Sequence, residues 1–104
     1  MIIIYITCGS FAEAKKIGWA LVKKRLAACS VVIPEAISFY WWPPGKNKIE
    51  RSREAILLIK TVRSKFTAVE REVKGMHSYD LPCIVEIPAG RVHKPYLDWL
   101  MQEL

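Results

Sequence analysis

The chain has 104 residues, 52 % of them apolar, and a formal net charge of +6. That length gives a single domain, residues 1–104, with a core of its own and no room for a second. Three cysteines, at 8, 29 and 83, form an odd set without a CxxC spacing, which excludes a disulfide framework or a structural zinc site and points to a reducing, cytoplasmic compartment.

Ile2-Ile3-Ile4-Tyr5-Ile6-Thr7 is a continuous, mostly β-branched run, the pattern of a central strand buried on both faces. No basic residue precedes it and it is far too short to span a bilayer, so it reads as a strand and no membrane partner is expected. Gly9-Ser10 breaks the run. Ser10 with Glu13 three residues on has the capping-box spacing, and Phe11, Ala14, Gly18, Leu21 and Leu26 follow at helical intervals. Trp19 lies off that stripe. Lys15, Lys16, Lys23, Lys24 and Arg25 form the solvated face of the same helix, and with no helix-turn-helix, zinc-finger or RNP pattern beside them no specific nucleic-acid partner is expected.

Cys29 to Ile33 is extended, Pro34-Glu35 interrupts it, and Ile37 to Trp42 resumes it. Pro43-Pro44-Gly45-Lys46-Asn47 is a turn, and Lys48 to Thr61 returns as a long strand that is polar over Glu50–Glu54 and apolar over Ala55–Ile59. Ser64 is placed to cap a second helix carrying Phe66, Val69, Val73 and Met76, with Gly75 near its stop. A strand from Cys83 to Ile87 follows. Pro95 opens a last helix with Leu97, Leu100, Met101 and Leu104 on one face.

The order βαββαβ plus a C-terminal helix predicts an α+β, ferredoxin-like sandwich. Its antiparallel four-stranded sheet has the first strand in the middle and two helices on one face. The long β2–β3 hairpin leaves an aromatic-rich edge that a further copy of the chain is expected to cover. One Asn and one Gln beside many Lys, Arg and Ile fit a thermophilic source.

Arg25-Leu26-Ala27-Ala28-Cys29, Ile33-Pro34, Ser38-Phe39-Tyr40-Trp41-Trp42, Leu57-Leu58-Ile59-Lys60-Thr61, His77-Ser78-Tyr79-Asp80-Leu81-Pro82 and Tyr96-Leu97-Asp98-Trp99 occur in that order. Together they resemble the blocks of the CutA, or divalent-cation tolerance, family over essentially the whole chain. The resemblance implies a homotrimer similar in architecture to the PII signalling proteins. It also implies tolerance to copper and other divalent metals, and no catalysed reaction. Ser78 and Cys83 stand where the family usually has Pro and Glu.

In some family members a Cys just before the strand-end Thr, with His residues of the His-Pro-Tyr block, is linked to copper. Ile6 holds that Cys position here. Cys8, two residues on, points to the same side of the strand, and Met76 precedes His77 where some members have a second His. Cys8, Met76 and His77 are thus the metal candidates, a soft set suited to Cu(I). Copper or another divalent metal is the expected cofactor, with none required for folding.

A second constellation is a ligand cleft. Ser38, Tyr40 and Trp42 share one strand face, Lys60 ends the neighbouring strand, and His77 and Tyr79 lie in the loop before the last strand. In the family's trimer such residues approach a cleft between subunits, where they would hold a small anion. Cys29 or Cys83 with His77 could make a nucleophile and base, but thiols in apolar strands are usually inert, and no enzyme is expected. Two functions remain open. One is a metal- or ligand-binding non-catalytic trimer. The other is a PII-like signalling or scaffold module with an anion cleft and no specific metal site.

Overall fold

Alternation of side chains along the strands and 3.6-residue periodicity in the helices sort the chain into two layers. The computed structural model describes residues 1–104. Its elements are β1 (Ile2–Cys8), α1 (Phe11–Lys23), β2 (Cys29–Trp41), β3 (Ile49–Thr61), α2 (Phe66–Met76), β4 (Ile84–Pro88) and α3 (Lys94–Glu103). The sheet order is β2-β3-β1-β4, with every neighbour antiparallel. This is the ferredoxin-like α+β arrangement with an added C-terminal helix, and β1 lies inside the sheet as its composition predicts.

One face of the sheet is the core. Ile2, Ile4, Ile6 and Cys8 of β1 lie opposite Thr61, Ile59, Leu57 and Ala55 of β3. All eight are buried under Ala14, Ile17 and Leu21 of α1 and Val69 and Val73 of α2. The other face is different. Ile3, Tyr5, Ile56 and Leu58 are only partly buried, and Val31, Ile33, Val85 and Ile87 stand 38–47 % exposed. The run at the N-terminus therefore does not have two covered faces in a single chain.

Ser10 caps α1 as predicted, its Oγ accepting from the Glu13 backbone N–H at 3.1 Å, a bond worth about 1 kcal/mol. The reciprocal half of the capping box is not made, because the Glu13 carboxylate turns toward residues 77–78. The helix closes with Arg25 in the left-handed region (φ 59°) and the Leu26 N–H on the Leu21 carbonyl. Ion pairing of Arg25 with Glu103 ties the end of α3 to that turn. Ser64, expected to cap α2, instead lies inside a short 3-10 turn at Arg63–Lys65. The helix starts after it with no side-chain cap.

Pro34-Glu35 does not split β2. The strand runs through, with a bulge between Ile33 and Ala36 that absorbs the proline's missing donor. Beyond the bulge the hairpin projects past the helices, and the molecule measures 47 × 26 × 24 Å. Ile37, Phe39, Trp41 and Ile49 there are 42–69 % exposed.

Candidate functional site

Three side chains capable of holding a metal converge where β1 runs into α1. Cys8 is the last residue of β1, Glu13 lies in the first turn of α1, and His77 ends α2. One ligand atom from each lies within 4.8 Å of the other two. The His77 side chain is fully buried.

Hydrogen bonding fixes the state of that ring. The Tyr79 backbone N–H donates to Nδ1 at 3.0 Å, and Nε2 lies 2.8 Å from the Thr7 carbonyl. Nδ1 is therefore the acceptor and Nε2–H the donor, which makes the imidazole neutral. Glu13 Oε1 accepts from the Ser78 N–H at 3.3 Å and sits 3.4 Å from Nδ1. The loop after α2 is thus bound to both the end of β1 and the start of α1.

Burial pushes the Cys8 thiol up to about 12, and the Glu13 and Glu54 carboxylates add to the rise. At neutral pH it is a protonated, poorly nucleophilic thiol. Tyr79 packs its ring on His77 at 4.7 Å between centroids and donates its hydroxyl to Glu54 at 2.9 Å. Burial first, and the Glu54 bond next, hold its phenol well above the usual range. Gly9 makes room for this: a Cβ there would stand 3.3 Å from the Tyr79 ring. Burial also raises the Cys83 thiol, with Glu54 contributing.

Of the metal set read from the sequence, Cys8 and His77 are brought together. Met76 packs against the hydrophobic core. Glu13, the third member of the cluster, escapes the sequence reading because its spacing from Ser10 already accounts for it as a capping residue.

The cleft residues do not form one group within a chain. Ser38, opposite Ser52, and Tyr40, opposite Glu50, share the face of the hairpin that carries Glu54. The Tyr40 hydroxyl and Ser52 Oγ are hydrogen bonded. His77 and Tyr79 adjoin this strip through Glu54. Trp42 lies just past the end of β2, 41 % exposed. Lys60 stands on the same sheet face between Ile3 and Cys29, eight residues, or about 27 Å, from Ser52 along β3. Its ammonium donates to the Tyr96 hydroxyl at 3.2 Å and lies over that ring. Glu54, buried among polar neighbours, is the member of this strip that the sequence reading missed. It is the last residue of the polar stretch before the apolar run of β3.

The profile of the CutA1 divalent ion tolerance protein family matches residues 2–103. A divalent-cation tolerance protein CutA of Archaeoglobus fulgidus is 46 % identical over 97 residues, 93 % of this chain and 91 % of that one. The human protein CutA is 38 % identical over 98 residues, 94 % of this chain, but this chain spans only 53 % of it. Among solved structures, the periplasmic divalent cation tolerance protein CutA of Archaeoglobus fulgidus superposes with a TM-score of 0.92 at 43 % identity, covering 99 % of this chain and 98 % of that one. CutA1 of Oryza sativa gives 0.92 at 31 %, covering 98 % and 91 %. The first of these is described as periplasmic, and a rice relative is described as chloroplastic. These findings overturn the cytoplasmic assignment drawn from the free cysteines, because chains of this kind occupy other compartments too.

Proposed function

The chain belongs to the CutA1 divalent ion tolerance family, and from that premise we propose that it works without catalysis, as a homotrimer that takes up a soft metal ion at Cys8 and His77. The observation that carries this reading is the convergence of the Cys8, Glu13 and His77 ligand atoms within 4.8 Å. Glu13 replaces Met76 in the set. Binding there has a cost. The thiol must lose a proton it holds to about pH 12, and His77 must give up Tyr79 or Thr7. A thiophilic ion such as Cu(I) meets that cost, and affinity rises with pH because the thiol must deprotonate. The relatives bear tolerance-protein names and no enzyme names, and the site offers an inert thiol and a fully engaged imidazole.

Competition against a Cu(I) chelator tests the assignment on the native protein, Cys8→Ser and His77→Ala. Both variants are expected to lose at least about tenfold in affinity, the loss that removing even a hydrogen-bond partner of a metal ligand brings. Equal affinity in all three would refute the site.

The trimer draws support from the sheet. One face is apolar and open, and β2 and β4 are its two free edges. A head-to-tail contact between unlike edges closes into a ring when the rotation from copy to copy divides a full turn. The alternative role, an anion held between subunits by Ser38, Tyr40, Trp42, Lys60, His77 and Tyr79, rests on the separation of Lys60 from the hairpin strip. Only a second copy could bring them together.

A further inference from the structure

The packing of α1 fixes what its outer surface presents. Ala14, Ile17, Gly18 and Leu21 face the sheet. A Cβ on Gly18 would stand 2.9 Å from Ser30 Oγ and 3.0 Å from Leu57 Cδ1, so the helix packs on the sheet more closely than a side chain there would allow. Trp19 on the outer side, and Phe11 and Val22 on the flank beside Gly18, are left in water at 67, 43 and 37 % exposure. Trp19, whose off-stripe position suits the edge of the core or a subunit contact, stands on this outer surface.

Around those three lie Lys15, Lys16, Lys23, Lys24 and Arg25, all exposed. Lys24 is paired with Glu72 and Arg25 with Glu103. Lys15, Lys16 and Lys23 have no ion-pair partner. Glu13, the one acid of the helix, is turned inward to His77 and Ser78. Lys15 Nζ lies 4.5 Å from the Phe11 centroid, and Lys23 Nζ lies 5.9 Å from that of Trp19. An aromatic ring with an ammonium over its face from four residues on, made twice along one helix, is the build of an interfacial anchor.

We propose that this outer face of α1 docks on the surface of an anionic lipid bilayer, with Trp19 and Phe11 at headgroup depth and Lys15, Lys16 and Lys23 on lipid phosphates. Charge complementarity supplies the occupant: three free cations and no free anion on the helix. The apolar area separates lipid from nucleic acid. Bases would need the ring faces for stacking, and here those faces are shared with ammonium groups. Protein interfaces are depleted in Lys, whereas a polybasic surface gains about fivefold in partitioning per Lys near an anionic leaflet. Docking of this kind needs no spanning segment, and no helix of the chain is long and apolar enough to cross a membrane. The inference is independent of the metal reading.

Cosedimentation of the intact protein with phosphatidylcholine vesicles, and with vesicles that also contain phosphatidylglycerol, tests it. Binding is expected only to the anionic vesicles and is expected to fall steeply at high salt. Lys16→Glu with Lys23→Glu should cost at least about 25-fold. Trp19→Ser should cost severalfold while leaving the salt dependence in place. All three positions are exposed, so the fold is preserved, and unchanged thermal unfolding checks this. Equal binding to neutral vesicles would overturn the proposal. So would indifference to both variants, or tighter binding to single-stranded RNA than to anionic vesicles.

Discussion

His77 shows how a single ring can be wholly used up. Its two nitrogens face a backbone donor and a backbone acceptor, so it acts as a neutral clasp between three elements before any ion arrives. Cys8 beside it carries a linked consequence. The folded chain holds this thiol to about pH 12 against an ordinary 9.0, so in that window the unfolded state binds fewer protons than the folded one. Stability is then complete below pH 9 and falls as pH rises through the window. Tyr79 and Cys83, also raised, act in the same sense. The expected result is that the urea midpoint of the native protein drops more steeply above pH 9 than that of Cys8→Ala, whatever their offset at neutral pH. Parallel slopes would show that the thiol does not contribute. At this scale the sequence reading found Cys8 and His77 from residue type and the ends of elements. It could not find Glu13 or Glu54, since each had a sufficient local explanation and only the folded chain joins them to Ser78 and Tyr79.

Elements were legible wherever periodicity spoke, and less so where two local rules disagreed. Helix α1 reads correctly from its stripe and its Ser10 cap, except that Phe11 at the head of the stripe stays in water and Glu13 does not close the capping box. β2 reads as broken because Pro34 removes a donor, yet at a free sheet edge a bulge costs little and the strand continues. Ser64 suits a cap, but the 3-10 turn before α2 leaves it with no capping bond. Two helical glycines separate propensity from packing. Gly75 has open space where a Cβ would go, so Gly75→Ala should stabilise the chain by about 0.5–1 kcal/mol. Gly18→Ala gains the same propensity but forces Ser30 and Leu57 to move. Overpacking costs of about 1–3 kcal/mol outweigh the gain, for a net loss of about 1 kcal/mol. Thermal unfolding of the two variants should therefore shift in opposite directions, and a stabilised Gly18→Ala would show that α1 has slack against the sheet.

For the whole molecule, the informative misreading is the N-terminal run. Residues suited to burial on both faces have one covered face in the single chain, and the shortfall is continuous with Val31, Ile33, Val85 and Ile87 across the sheet. An apolar surface that spans every strand is what a further copy would cover, since soluble monomers rarely expose contiguous patches of this kind. Val85→Lys places a charge on the edge strand of that face. Equilibrium sedimentation at micromolar concentration should give a trimer for the native protein and a smaller species for the variant, because an unpaired charge shielded at an interface costs several kcal/mol. A native monomer would refute the assembly.

The projecting hairpin gives such an assembly a temporal signature. Its backbone ladder between 36–41 and 49–54 is complete, but almost no side-chain core lies beneath it. Ladders without buried side chains open locally at low free energy, while those over a core open only with the whole domain. In a lone chain the amides at the tip should exchange with solvent long before those of β1. Once a neighbour shields the same strands, their exchange slows by an amount that depends on protein concentration, so the timing of a few amides near Phe39 and Arg51 records how long each chain stays with its partners.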